Sequence, residues 1–382
     1  MKFVIAPDSF KGGLTANEVA DAIKSGISKI FPNAEIDAVP MADGGEGTVE
    51  ALTANTSGKF VSELVVGPLG KKVEATYGLL GDSDTAVIEM SQASGLQFVD
   101  EHTADPLKTT TYGTGQLIIS ALNHGARKII LGLGGSATND GGAGMAQALG
   151  AQLLDKKGES IPYGGGQLDK LVKIDTRNID PRIAETEILI ASDVNNPLVG
   201  PNGASAVFGQ QKGATSAMIK VLDSNLVHYA DVIQNTLGKS LKDYPGAGAA
   251  GGIGAGLLAF TNSHLEKGID VVVKYSSLRE KLKNADYVFT GEGSMDFQTQ
   301  YGKTPFGVAL AAKEVSPQAP VIALVGNIGK GIEELYKTGA IDAIFAAPSG
   351  SKTLAQAIKD STKDLSLLSE NIARLIVSIK KG

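Results

Sequence analysis

Lys2-Phe-Val-Ile-Ala-Pro-Asp-Ser-Phe-Lys-Gly-Gly-Leu-Thr-Ala-Asn-Glu18 is the stretch that decides the fold. Residues 2–6 form an apolar run of strand length, and Pro7 to Gly13 are turn formers. Thr15-Ala-Asn-Glu18 has the spacing of a capping box, so a helix is expected over about 15–30, with Val19, Ile23 and Ile27 on one face. A buried strand feeding an amphipathic helix is the opening of a βαβ unit, and such units build parallel sheets. A second strand is expected at 35–39. From about 285 the rhythm returns, with strands at 285–289, 321–325 and 342–345, helices near 304–315 and 331–338, and a closing helix over about 353–380.

Five such strands suit a flavodoxin-like doubly wound parallel sheet of order 2-1-3-4-5. The middle of the chain reads differently. Residues 59–90 alternate as short strands joined at Gly67-Pro-Leu-Gly70 and Gly81-Asp82, an antiparallel pattern foreign to a βα repeat. The expected fold is therefore α/β with two domains. Residues 1–60 and 277–382 form a discontinuous flavodoxin-like domain, interrupted by a mixed α/β domain over 61–276.

With 382 residues the chain is long enough for two cores. Its 48 glycines, 5% aromatics and lack of Trp fit tight strand-to-helix turns better than base or flavin stacking. A net charge of −6 and five arginines argue against a nucleic-acid or anionic-membrane partner. The absence of Cys removes thiol nucleophiles and zinc thiolate sites, and His102, His124, His228 and His264 have no ligand spacing. No apolar run approaches the roughly 20 residues of a membrane span. Met1-Lys2 enters the first strand directly, which leaves no room for a signal peptide; a soluble, cytoplasmic protein is expected.

Gly132-Leu-Gly-Gly-Ser-Ala-Thr-Asn-Asp-Gly-Gly-Ala-Gly144 follows the strand-like Lys128–Leu131. Six glycines in thirteen residues let backbone amides approach an anion without interference from Cβ atoms, so the stretch reads as a phosphate cradle. Ser136, Thr138, Asn139 and Asp140 would add hydrogen bonds and one possible metal ligand. In a doubly wound sheet the ligand crevice lies at the carboxyl ends of the strands. The loops expected there carry Asp8, Ser9 and Lys11, then Asp43 and Glu46, then Thr290-Gly-Glu-Gly-Ser-Met-Asp296. Ser192-Asp-Val-Asn-Asn-Pro-Leu-Val-Gly200 and the glycine run 246–256 follow the same logic, although small residues in the latter also permit close helix packing. Two familiar motifs fail in detail. Gly132-x-Gly134-x-x-Ala137 imitates a dinucleotide fingerprint, but it lies inside the inserted domain. Tyr301-Gly-Lys-Thr304 imitates the end of a P-loop, but the required first glycine falls on Phe297.

Taken together, the blocks Ala6–Gly12, Pro40–Thr48, Gly132–Gly144, Ser192–Leu198, Gly248–Gly252 and Thr290–Gly293 with Gly302-Lys303 resemble those of the bacterial glycerate kinase family. They run from end to end of the chain. The resemblance implies a flavodoxin-like domain interrupted by a second α/β domain, and transfer of the γ-phosphate of ATP to D-glycerate, at C2 in preference to C3. A kinase of another small hydroxy acid, and a non-catalytic sensor of phosphate or a small acid, remain alternatives.

Phosphoryl transfer needs alignment and charge screening more than covalent chemistry. On that basis Mg²⁺ is expected, with Asp43, Glu46 and Glu292 as ligands and Asp296 as a further candidate. Asp193 is the expected base, ahead of Asp296 and Asp8, and Lys11 is expected to pair with a carboxylate or phosphate. Asp8, Ser9, Gly134, Gly135, Ser136, Asn139, Gly291, Gly293 and Lys303 complete the expected substrate and phosphate contacts. One departure stands out: Ser294 occupies a position where relatives are expected to carry arginine, so Lys303 or Arg279 would have to supply the cation. Domain closure around segments near 57–70 and 270–280 is expected to exclude water.

Overall fold

Thr15 caps the first helix with both bonds of the capping box. Its hydroxyl accepts from the Glu18 amide at 3.2 Å, and its own amide donates to Glu18 Oε2 at 2.8 Å. The helix, Ala16–Ser28, buries Val19, Ile23 and Ile27. A computed structural model describes residues 1–381. Its strands are β1 (Lys2–Ile5), β2 (Glu35–Ala38), β3 (Lys59–Val66), β4 (Lys72–Leu79), β5 (Thr85–Glu89), β6 (Lys128–Gly132), β7 (Gln152–Leu154), β8 (Lys173–Asp175), β9 (Glu187–Ala191), β10 (Ser263–Glu266), β11 (Tyr287–Met295), β12 (Val321–Ile328) and β13 (Ala343–Ala346).

The chain divides into two units. The first comprises Met1–Asp43, Glu50–Thr56 and Gly268–Gly382; the second comprises Gly44–Val49 and Ser57–Lys267. In the first, a five-stranded sheet runs β13-β12-β11-β1-β2 and every pairing is parallel. Numbered among themselves, these strands have the order 2-1-3-4-5. Phe3, Ile5, Phe289 and Leu324 meet Val19, Ile23 and Ile27 of the first helix and Leu365, Ile372 and Ile376 of the closing helix, Leu354–Lys381. Gly26 permits this packing, since a Cβ there would strike the Ser366 carbonyl.

The second unit holds a six-stranded sheet, β10-β9-β6-β5-β4-β3, and a two-stranded ribbon of β7 and β8. β3, β4 and β5 pair antiparallel, whereas β5, β6, β9 and β10 are parallel, so the sheet is mixed. One apolar core joins Ile88, Ile129, Leu131 and Ile190 to the helix Tyr112–Asn123. Another gathers Leu226, Tyr229, Ile233 and Phe260 from the helices Ser216–Leu237 and Ala249–Phe260.

Two expectations need correction. Residues 290–295 are not a loop. β11 continues to Met295 against an equally extended β12, pairing Gly291 with Leu324 and Met295 with Ile328. Gly291 makes the continuation possible, because a Cβ there would strike the Leu324 carbonyl. Second, Gly44–Val49 packs with the inserted unit and not with the strand it follows. Gly132 and Gly134 explain that association: a Cβ at Gly132 would come 2.6 Å from the Gly44 carbonyl oxygen, and one at Gly134 3.3 Å from Gly45 Cα. Among the described residues no helix is long and apolar enough to cross a membrane.

Candidate active site

In the first unit, the turn after β1 and the outer part of β11 bring together an acidic group. The Asp8 amide donates to the Gly291 carbonyl at 2.8 Å, and the Thr290 hydroxyl donates to the Ala6 carbonyl at 2.9 Å. Asp8 then receives the Ser9 amide on Oδ1 at 2.6 Å and the Thr304 hydroxyl on Oδ2 at 2.5 Å. Burial lifts Asp8 to about 6 despite that hydroxyl, and the Asp43 carboxylate adds to the rise. Burial lifts Glu292 to about 7 against the pull of Lys303, with Asp8 adding its own negative field. Lys303 Nζ lies 3.5 Å from Glu292 and donates to the Ser294 carbonyl at 3.3 Å, while Thr299 donates to Glu292 Oε1 at 3.0 Å.

This geometry locates the cation beside Ser294. Lys303 is that neighbour, whereas Arg279 is engaged by Glu314 on an exposed surface. Ser294 itself accepts the Asn327 amide at 3.2 Å. Lys11 is exposed and forms no ion pair among the described residues; Gly293 is half-buried. Asp296 has a local duty: its Oδ1 accepts the Gln298 amide at 2.8 Å and caps the short turn Phe297–Tyr301.

In the second unit only the tip of the 132–144 stretch is open. Gly134 and Gly135 are exposed, and everything from Ser136 to Gly144 is buried. The side chains expected to line a cradle are engaged inside the unit. Ser136 Oγ contacts Thr138 Oγ1 at 3.0 Å and donates to the Ala250 carbonyl at 3.2 Å; Asn139 donates to Ser205 Oγ at 2.9 Å. Asp140, considered as a metal ligand, is fully buried and accepts from the Thr111, Gly142 and Gly144 amides at 2.9, 3.1 and 3.2 Å. Lys212, equally buried, donates to the Thr138 carbonyl at 2.7 Å; burial drops its pKa to about 7 and the Asp140 field opposes the drop. The physical reason is that a bend so rich in glycine needs many internal hydrogen bonds to hold one shape.

Glu89 is a buried carboxylate that the sequence pattern did not single out. It ends β5 directly beside Gly132 and accepts the Val49 amide at 3.0 Å, with the Gly47 and Thr48 amides also turned toward it. Burial raises its pKa to about 7, and Glu46 contributes to the rise. A carboxylate that terminates the buried run Ala86-Val-Ile88 was the available signal. Glu46 itself is exposed, as is Asp193 on the segment after β9.

Among the described residues no group of three or more His, Asp or Glu side chains is arranged to hold a metal ion unaided. The chemistry of Asp8, Asp43 and Glu292 nonetheless fits Mg²⁺. They are hard oxygen donors whose mutual repulsion a divalent cation relieves, and Mg²⁺ in kinases commonly takes only one or two carboxylates beside substrate phosphates.

Residues 3–377 match the family described as the glycerate kinase family. The chain belongs to the glycerate kinase family. Its relatives include the glycerate kinase of Halalkalibacterium halodurans, 51% identical over 370 residues and 97% of each chain. The Escherichia coli K12 protein named glycerate 2-kinase is 51% identical over 373 residues, 98% of this chain and 97% of that one. A crystal structure described as a glycerate kinase 2 from Salmonella typhimurium LT2 superposes with a TM-score of 0.91 at 47% identity over the whole of both chains. Membership of a kinase family makes this chain a phosphotransferase and implies that it uses ATP.

Proposed function

We propose that the protein is an Mg²⁺-dependent D-glycerate 2-kinase of the cytoplasm, transferring the γ-phosphate of ATP to the C2 hydroxyl and releasing 2-phospho-D-glycerate. The observation that carries the choice of position is 51% identity, across 98% of this chain, to the Escherichia coli protein named glycerate 2-kinase. Lys11 and Lys303 are assigned to the phosphates or the glycerate carboxylate, where a fixed positive charge lowers the cost of bringing two anions together. Asp8 orients Ser9 through the bond to its amide. The exposed amides of Gly134 and Gly135 donate to phosphate oxygens, and Gly293, half-buried, offers backbone on β11, which buried Gly291 holds against β12. Ser136 and Asn139 shape that stretch from within.

Asp193 is assigned the substrate hydroxyl proton: the C2 oxygen forms its bond to phosphorus as the proton passes to the carboxylate and ADP departs. Asp296 is the reserve for that role. When bound, Mg²⁺ screens the charge on the transferred group, and Asp43, Glu46 and Glu292 are the residues assigned to hold it.

The position is tested by incubating the protein with Mg-ATP and D-glycerate and adding enolase, with and without phosphoglycerate mutase. Phosphoenolpyruvate absorbance with enolase alone is the expected result. A signal that requires the mutase makes the protein a 3-kinase, and no signal in either arm removes the proposed reaction.

A further inference from the structure

Beside the acidic group of the first unit, at the carboxyl ends of β1, β11, β12 and β13, lies a cavity of about 180 Å³. Its walls are the side chains of Phe10, Ala347, Pro348, Leu354, Ala357 and Ile358. Bare backbone forms the remaining face. A Cβ at Gly326 would come 2.6 Å from the Gly293 carbonyl oxygen and 3.5 Å from the Phe10 ring, and one at Gly13 would come 3.5 Å from Ile358 Cγ2. The sequence thus keeps the space open with glycine on two sides. Leu354 and Ile358, in the first turns of the closing helix, remain 78% and 37% exposed, so the unit leaves apolar surface uncovered at the mouth.

The polar groups that touch the cavity are already satisfied. Ser361 donates to the Ile358 carbonyl at 2.6 Å, and Asp364 is paired with Lys352 at 2.6 Å and accepts the Ser349 hydroxyl at 2.7 Å. Asn327, tethered to Ser294, and Lys11, without an ion pair among the described residues, stand at the rim. An occupant must therefore be flat and apolar over most of its surface, with its charge at the Lys11 end. The volume lies below the roughly 300–1,000 Å³ that whole ligands fill, so it suits one part of a larger molecule. D-glycerate is three carbons bearing a carboxylate and two hydroxyls, and a triphosphate is wholly ionic. Neither suits these walls. The purine ring is the component of the two substrates that has apolar faces.

We propose that this cavity seats the purine base of the nucleotide, with Lys11 at its mouth meeting the phosphates. The assignment rests on the reading of the protein as an ATP-dependent kinase. The base is held chiefly by contact with aliphatic side chains and glycine backbone, which gives affinity with modest discrimination between adenine and guanine.

The test substitutes Ala357→Leu, which fills the cavity from a half-buried helix position, and Leu354→Asp, which places a negative charge at its mouth. ADP binding is measured by calorimetry, and inorganic tripolyphosphate, which has no base, is measured as a competitor of the same site. Both variants are expected to weaken ADP by about tenfold or more, since one methylene in an apolar pocket alone changes binding by 10-fold or more. Ala357→Leu is expected to leave tripolyphosphate competition at the wild-type value. Unchanged ADP affinity in Ala357→Leu overturns the assignment, as does an equal loss for ADP and tripolyphosphate. A wild-type protein that binds ADP but does not phosphorylate D-glycerate overturns the acceptor proposed above and leaves this assignment standing; one that does not bind ADP overturns this assignment.

Discussion

Thr304 donates its hydroxyl hydrogen to Asp8 Oδ2 at 2.5 Å, joining residues 296 positions apart. The bond stabilises the ionised form of a carboxyl group that burial has already lifted to about 6. Thr304→Val keeps the shape and removes the donor, so the pKa of Asp8 rises further and the charged form becomes scarcer at neutral pH. The acid limb of the kcat/KM profile against pH is expected to move upward, and an unmoved limb shows that Asp8 ionisation does not govern the reaction. Leaving a buried carboxylate oxygen unpaired is also expected to cost about 1–3 kcal/mol in denaturant unfolding.

Glu89 makes a prediction about stability. Its pKa rises from 4.5 to about 7 on folding, so between those values the folded chain binds the extra proton. Stability attached to this group is fully present below 4.5 and is lost as pH rises through about 7. Glu89→Gln retains an acceptor for the Val49 amide and removes the titration. The variant is expected to gain on the wild type by up to about 3 kcal/mol as pH rises across that window, measured by urea unfolding. Parallel curves for the two proteins would rule out the buried ionisation.

Asp193→Asn tests the proposed base. Turnover is expected to fall by about 10²–10⁴ while the binding of ATP and D-glycerate stays near normal. A loss smaller than about tenfold removes Asp193 from that role. Steady-state kinetics with calorimetric binding separates the two quantities.

Gly291 and Gly134 are both glycines of the expected phosphate contacts, yet their substitutions should differ. A Cβ on Gly291 strikes the Leu324 carbonyl across the sheet, whereas one on Gly134 stands 3.3 Å from Gly45 Cα at an exposed tip. Gly291→Ala is expected to destabilise the protein by about 1–3 kcal/mol or more. Gly134→Ala is expected to remain folded with a raised KM for ATP. Equal stability of the two variants, by thermal melting, contradicts the packing argument at Gly291.

The elements easiest to read were those in which local and tertiary preferences agree. The capping box at Thr15, the helix Thr304–Val315 and the alternation of apolar strands with helices in the first unit all follow from short-range patterns. Strand ends were harder. β11 extends through Gly291 and Gly293 because β12 lies close enough to exclude a Cβ, and glycine in sequence reads first as a turn. The site residues divide along the same line. Asp8, Asp43 and Glu292 stand out from their place after apolar strands and Lys303 from its Gly302-Lys303 block, and the structure couples Asp8 to Asp43 and Glu292, and Glu292 to Lys303, electrostatically. Ser136, Asn139 and Asp140 carry the same polar chemistry as a ligand contact, but long-range partners such as Ser205 and Lys212 turn them inward, and nothing local announces those partners.

The central position of β1 has a consequence for synthesis on the ribosome. Its parallel neighbour β11 pairs Phe3 with Tyr287, so the first strand emerges long before the segment that flanks it on one side. At translation rates of about 5–20 residues per second that delay is on the order of 15–60 s. Throughout it, Phe3, Val4 and Ile5, all fully buried at the end, lack half of their sheet. The intervening unit, whose strands are all translated by then, can fold first, and nascent chains halted before Tyr287 should therefore engage chaperones through their amino terminus.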